Sequence, residues 1–255
     1  MKKCFVLGVG AQKCGTSWLH GYLSNNINAN FGALKEYHIW DALYVQECHN
    51  FVAHKDDGLR FRLQNEKGAY EKYFSSLICN GINLTGDITP SYSGLSADCF
   101  SLIRDKIESS GFDLKVVFLM RDPFERCWSA VRMDRLNTKK ILDMSELDQL
   151  EAAYKTKNFI IRTAYNLTIE ALEAAFSLDQ IYYGIYEELF NDQKIEELSN
   201  FIGVPYVPDF SRKKFNVSPK SNDEPVALKS EIKEFYSDVY DYYFKRFPQT
   251  KSLWC

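Results

Sequence analysis

Two clusters in this chain carry the residue types that hold phosphate groups. The first is Gly10-Ala11-Gln12-Lys13-Cys14-Gly15-Thr16-Ser17. Glycines at 10 and 15 let a backbone fold tightly around an anion, Lys13 adds a cation, and Thr16 and Ser17 add hydroxyl donors. An apolar run precedes the cluster and a helical segment follows it, so the unpaired N–H groups and positive dipole end of that helix would meet the same ligand. The two glycines have the spacing of the G-x4-G-K-[ST] phosphate loop, but the lysine stands at 13 and Thr16 takes its slot. That displacement argues against ordinary ATP or GTP hydrolysis. The second cluster is Arg121-Asp122-Pro123-Phe124-Glu125-Arg126-Cys127-Trp128-Ser129. Arg121 falls at the carboxyl end of an expected strand, where open α/β sheets bind ligands, and arginine suits two-pronged phosphate contacts. Each cluster also has a bland explanation: a glycine turn with an exposed lysine, and a helix start with solvated arginines. Two such clusters in order, each between a strand and a helix and about a hundred residues apart, make coincidence a poor account.

The elements that must position these residues follow from hydrophobic pattern and capping. Residues 3–9 and 115–120 are short apolar runs of strand length, buried on both faces. Residues 17–25 predict a helix after the first glycine turn. Asp122 as N-cap and Pro123 at the first helical position predict another over 124–133. Tyr165, Ile169, Leu172 and Phe176 lie at helical spacing, residues 180–186 predict a strand, and 194–202 a helix. A last helix is expected over 229–247, with Ile232, Phe235, Tyr236, Val239 and Tyr243 as its apolar stripe. Strands alternating with helices predict an α/β fold: a central parallel sheet flanked by helices in a single domain over residues 1–255, with 211–225 as a surface loop.

Composition sets the outer limits. The chain has 255 residues, 45% hydrophobic and 25% charged, which excludes a disordered or collagen-like chain and leaves enough length for one sizeable core. Net charge −3 gives no general preference for nucleic acid or anionic membrane. Seven scattered cysteines without a C-x-x-C pair fit reduced thiols in a cytoplasmic protein better than a disulfide framework or a zinc site. Lys2 and Lys3 before an apolar run imitate the start of a signal peptide, but the run is only eight residues and Gln12-Lys13 ends it, so a first strand is the better reading. No stretch approaches the length of a membrane span. The N-x-[ST] triplets at Asn83, Asn166 and Asn216 are chance matches without secretion.

Lys13-Cys14-Gly15-Thr16-Ser17-Trp18-Leu19 resembles the 5′-phosphosulfate loop, K-x-G-T-[ST]-x-L, of sulfotransferases that use 3′-phosphoadenosine 5′-phosphosulfate (PAPS). The Arg121–Ser129 cluster is similar to that family's R-D-P-x-x-R-x-x-S motif. Gly86-Asp87-Ile88-Thr89-Pro90-Ser91-Tyr92 resembles G-E-x-[ST]-P-x-Y, Tyr186-Glu187-Glu188-Leu189 resembles Y-E-x-L, and Phe201-Ile202-Gly203-Val204 resembles F-L-G-[LV]. The likeness runs from residue 5 to about 220 and looks closest to the branch with heparan-sulfate and many bacterial enzymes.

The resemblance implies a P-loop-like sulfotransferase fold and a PAPS donor that leaves as adenosine 3′,5′-bisphosphate (PAP), with no metal. It implies that Lys13, Cys14, Gly15, Thr16 and Ser17 hold the 5′ side, that Arg121 and Ser129 hold the 3′-phosphate, and that Lys13 stabilises the leaving group. Trp18 stacks on adenine or fills the core, and Tyr186 lines the nucleotide site or caps a strand. Lys35-Glu36-Tyr37-His38 resembles K-E-x-H, where the glutamate is the usual base. His38 has the better ordinary pKa for that task, so the base is Glu36 or His38. Three departures stand out. Ile88 replaces a lysine common in the glucosaminyl branch. Arg212-Lys213-Lys214 only loosely matches the late R-K-G clamp. Cys14 replaces a small residue, and its place at a helix N-terminus predicts a lowered thiol pKa and oxidation-sensitive nucleotide binding. The competing readings are a P-loop small-molecule kinase and a non-catalytic nucleotide-binding relative. The expected acceptor is a small molecule, sugar or lipid. Lys139-Lys140, Lys155-x-Lys157 and 212–214 are the patches that would serve a sulfated polysaccharide.

Overall fold

The computed structural model describes residues 2–138, 144–208, 210, 213 and 225–254. Its centre is a four-stranded, all-parallel sheet: β1 (Lys3–Gly10), β2 (Leu84–Ile88), β3 (Phe112–Met120) and β4 (Ile181–Ile185), in the spatial order β2-β1-β3-β4. The chain moves from β1 to one side and then to the other, so the order reverses between β1 and β3. At such a switch point the carboxyl ends of two strands splay their following loops apart and leave a crevice.

Helices flank the sheet. After β1 come α1 (Thr16–Ser24), α2 (Trp40–Tyr44), α3 (Leu59–Asn65) and α4 (Ala69–Leu77). Between β2 and β3 lies α5 (Ala97–Ser109). Between β3 and β4 lie α6 (Pro123–Thr138), α7 (Glu146–Ala153), α8 (Lys157–Ile160) and α9 (Tyr165–Ala175). The chain continues through α10 (Asp192–Ile202), α11 (Val226–Phe235), α12 (Ser237–Arg246) and α13 (Thr250–Leu253).

The expected strands and helices appear, with boundary shifts that have causes. β3 begins at Phe112 rather than 115 because its first residues alternate buried and half-exposed before the continuous apolar run begins. α6 starts as capping chemistry requires: the Glu125 N–H donates to Asp122 Oδ1 at 2.9 Å, with Pro123 in the first turn. The expected helix over 229–247 is two helices. The backbone breaks at Tyr236 (φ −100°, ψ 22°), whose hydroxyl donates to the Tyr154 carbonyl at 2.7 Å. Ile232, Tyr236, Val239 and Tyr243 are buried as the stripe predicted, but Phe235 faces solvent. Residues 211, 212 and 214–224 of the expected surface loop lie outside the described residues, as do Asn216, Lys139 and Lys140.

β2 was not foreseen, because Leu-Thr-Gly-Asp-Ile contains too few apolar residues to read as a core strand. All five are buried. Asp87 is tolerated there because three hydroxyls donate to it: Thr89 at 2.7 Å, Tyr92 at 2.7 Å and Tyr70 at 3.0 Å. Gly86 leaves no room for a side chain, since a Cβ would sit 2.1 Å from the Val6 carbonyl oxygen of β1. Gly86→Ala should therefore destabilise the protein by about 1–3 kcal/mol, read as a lower urea midpoint.

Candidate active site

A cavity of about 630 Å³ opens where the β1 and β3 loops diverge, a size usual for small-ligand sites. Every residue expected at the site lines it except Cys14: Lys13, Gly15, Thr16, Ser17 and Trp18 from the first loop and α1, Glu36 and His38 before α2, Arg121 and Ser129 around the start of α6, and Tyr186 after β4.

The first loop is shaped by close approach. Gly10 (φ 130°) passes Pro90 so tightly that a Cβ would lie 2.3 Å from its carbonyl oxygen. Gly15 (φ 97°) is the left-handed N-cap of α1 and packs against Leu189. α1 begins with no side-chain cap and no acidic residue in its first turn. Its N–H groups and dipole therefore act on whatever the cavity holds. Lys13 itself has a positive φ of 69° and pairs with no carboxylate among the described residues. Burial, then the charges of Arg121, Arg132 and Lys35, lower its pKa.

Arg121 is almost buried. Its Nη2 pairs with Glu125 Oε2 at 2.8 Å, its guanidinium lies 4.4 Å from the centre of the Tyr186 ring, and its Nη1 approaches the Lys13 carbonyl at 3.5 Å. The turn carrying it is held from behind: the Asp122 N–H donates to Glu187 Oε1 at 3.2 Å, and Trp254 Nε1–H donates to Glu187 Oε2 at 3.0 Å. Tyr186 thus both caps β4, with its N–H on the Met120 carbonyl at 2.7 Å, and supports Arg121.

Opposite the loop sits a carboxylate–imidazole–carboxylate chain. His38 Nε2 faces Glu36 Oε2 at 3.4 Å, and Nδ1–H donates to Asp41 Oδ2 at 2.7 Å. Asp41 also accepts from the Ser91 hydroxyl, and Phe51 stacks flat on the imidazole at 3.7 Å. Burial opposes charge on His38, but hydrogen bonds to Asp41 and Glu36 outweigh it and raise the pKa to about 8. Burial likewise opposes charge on Glu36, yet His38 and Lys35 pull it down to about 2. Near neutrality the pair is therefore Glu36 carboxylate and His38 imidazolium, and His38 becomes the free base only above about pH 8. Lys35 bonds Glu36 at 2.7 Å.

One expectation is corrected here, and one pair of alternatives is narrowed. Cys14 is fully buried, turned away from the cavity with its thiol 3.6 Å from Tyr165 Oη. Burial raises its pKa to about 12, so the helix N-terminus does not activate it. Trp18 is 1% exposed, stacked on Tyr22 at 5.1 Å and flanked edge-on by Phe190 and Phe210. Of its two readings this packing supports the core residue, although Trp18 also lines the cavity.

Sequence reasoning missed Asp41, Ser91, Phe51 and Arg162. The signal for Asp41 was present: an acid one turn after His38 among Ile39, Trp40 and Ala42. Arg162 had none. It lines the cavity, held by Asn158 and by Cys48 Sγ at 3.5 Å. Of the basic patches, Lys213 lines the cavity, Lys155 and Lys157 do not, and Arg212 and Lys214 lie outside the described residues. Among the described residues no three metal-ligating side chains converge, and no helix is long and apolar enough to cross a membrane.

The fold, with its β2-β1-β3-β4 parallel sheet, is that of solved sulfotransferases. Among solved structures, the chain is similar to a sulfotransferase from Alicyclobacillus acidocaldarius, over 93% of both chains at 19% identity and a TM-score of 0.65. It is also matched by the sulfotransferase domain of the Synechococcus PCC 7002 olefin synthase (15% identity, 93% and 96% of the chains, TM-score 0.42). A third match is the sulfotransferase domain of the curacin biosynthetic pathway (14% identity, 94% and 98%, TM-score 0.49). No protein-family model and no curated protein matches the sequence.

Two outcomes follow from the geometry. Iodoacetamide at pH 8 should modify exposed Cys79 and leave Cys14 untouched until the protein is unfolded, as peptide mass mapping would show. His38 has a folded pKa above its unfolded one, so its stabilisation is complete below about pH 6.5 and disappears as pH rises through about 8. The stability difference between wild type and His38→Gln in urea should shrink by about 2 kcal/mol across that window.

Proposed function

We propose that this protein is a sulfotransferase that moves the sulfuryl group of PAPS to a hydroxyl or amine by in-line displacement. The observation that carries the reading is convergence: the open start of α1, Lys13, Arg121 with Ser129, and the Glu36–His38 pair all face one cavity. The cavity wall carries Lys13, Lys35, Arg121, Arg162 and Lys213 against Glu36, which suits a highly anionic donor.

In this reading the residues 15–17 amides and hydroxyls hold the 5′-phosphosulfate, and Arg121, braced by Tyr186 and Glu125, holds the 3′-phosphate with Ser129. The acceptor atom attacks sulfur while the bond from sulfur to the bridging oxygen breaks, and that electron pair leaves with PAP. Lys13 stabilises the charge growing on that oxygen. The acceptor's proton passes to the Glu36–His38 pair: to the Glu36 carboxylate near neutrality, and to His38 Nε2 where the imidazole is neutral. Asp41 holds the ring so that Nε2 faces the cavity. The acceptor is a small molecule, sugar or lipid, and the reduced thiols suit a cytoplasmic enzyme.

Calorimetric titration tests the donor assignment. PAP should bind, AMP and ATP should bind much more weakly, and Arg121→Ala should remove most of the preference for PAP. ATP binding as well as PAP would overturn the 3′-phosphate assignment and favour a kinase. With an acceptor in hand, Lys13→Ala should lower kcat by roughly 10²–10³.

A further inference from the structure

We propose that Thr89 is a positioning residue for the proton-accepting pair: its hydroxyl, oriented by the buried Asp87 carboxylate, fixes the backbone that carries Glu36 and His38. This rests on the reading that Glu36 and His38 receive the acceptor's proton.

His38 has φ +54°, a left-handed conformation that is unfavourable for a non-glycine residue and persists only where neighbours enforce it. The enforcement runs from the sheet. The Thr89 N–H donates to the Gly8 carbonyl of β1 at 3.0 Å, which places Thr89 at the end of β2. Its hydroxyl proton goes to Asp87 Oδ1 at 2.7 Å. With that proton committed, the oxygen's lone pairs face the other way and accept the Tyr37 N–H at 3.0 Å and, more loosely, the His38 N–H at 3.5 Å. A second arm repeats the logic: Tyr92 donates its hydroxyl proton to Asp87 Oδ2 at 2.7 Å and accepts the Ile39 N–H at 3.3 Å. Three successive amides around the strained residue are thus tied through two hydroxyls to one carboxylate. Asp87 and Thr89 are both fully buried, so water does not compete for these bonds.

The function of this arrangement is directional. The imidazole must keep Nδ1 on Asp41 and Nε2 toward Glu36 and the cavity, and a backbone free to leave the left-handed region would swing it away from both. The groups facing His38 are Glu36 at Nε2, Asp41 and Ser91 at Nδ1 and Phe51 on its face, with Lys35 on Glu36 and Arg162 acting on Asp41.

The test needs no acceptor. The imidazole titration of His38 is followed by NMR, assigned with His38→Gln, in wild type, Thr89→Ser and Thr89→Val, and PAP affinity is measured on the same proteins. Wild type and Thr89→Ser, which keeps the hydroxyl, should titrate near pH 8. Thr89→Val, of the same shape without the hydroxyl, should fall toward the ordinary value of about 6.5, with PAP affinity unchanged within about twofold because residues 10–17 are not touched. A Thr89→Val protein that titrates like wild type, or a Thr89→Ser protein that shifts as far as Thr89→Val, overturns the proposal. Should Thr89→Val not fold, Tyr92→Phe removes the second arm and must also lower His38; an unmoved titration there overturns it equally. Absence of PAP binding in wild type, with His38 behaving as expected, would sink the donor assignment and leave the positioning role standing.

Discussion

Parallel pairing of β1 with β3 is the constraint from which the site follows. Their register sets Gly10 beside Phe118, so both strands end on the same edge of the sheet. The loop at 10–15 and the turn at Arg121 then open side by side, although about a hundred residues separate them. Had the two strands paired antiparallel, the same loops would stand at opposite ends of a nine-residue strand, about 30 Å apart. Parallel order also points the start of α1 and the start of α6 at one place, and both are positive dipole ends.

That convergence has an electrostatic consequence. Burial and then the charges of Arg121 and Arg132 lower the pKa of Lys13, and burial with the charge of Arg121 lowers that of Arg132 although Glu125 and Glu146 oppose it. Among the described residues Arg126 and Arg132 form no ion pair, and they lie over the rings of Phe159 and Trp128, each at 4.8 Å. The buried acids Asp87 and Asp41 are bonded elsewhere, Asp87 by three hydroxyls and Asp41, through Oδ2, by His38 and Ser91. Like charges gathered in a low-dielectric cleft are unfavourable until an anion joins them. The same imbalance that strains the free protein therefore favours a ligand with several negative groups.

The Glu36–His38 side of the cavity is built by different means. Its geometry comes from hydrogen bonds to backbone rather than from strand ends. Thr89 and Tyr92 hold the amides of residues 37–39, while Arg60 and Gln64 of α3 hold the carbonyls of residues 36–38. A segment with no regular structure is thereby fixed at nearly every polar backbone atom. Precision without a helix or strand requires this density of partners.

The local elements were legible in the residues themselves. A glycine pair before a helix, an Asp-Pro start and continuous apolar runs are determined by sterics and capping within a few residues, so β1, α1, β3, α6 and β4 could be placed from the sequence, and Lys13, Arg121, Ser129, Glu36 and His38 could be singled out as residues that meet at one cavity. Cys14 could not be assigned correctly and Trp18 stayed between two readings, because whether a side chain at a helix start points into the ligand or into the core depends on Tyr165 and Phe210, which arrive from distant parts of the chain. β2 escaped notice because its burial is made possible by hydroxyls from α4 and the turn after it, not by its own apolarity. The partnership of His38 with Asp41, and the pKa values that follow from it, appear only when the backbone between them is folded into one turn against Ser91. Local sequence determines which elements form, since its causes act over a few bonds; the tertiary structure alone decides which faces are buried and which charges meet, since those depend on groups brought together from across the chain.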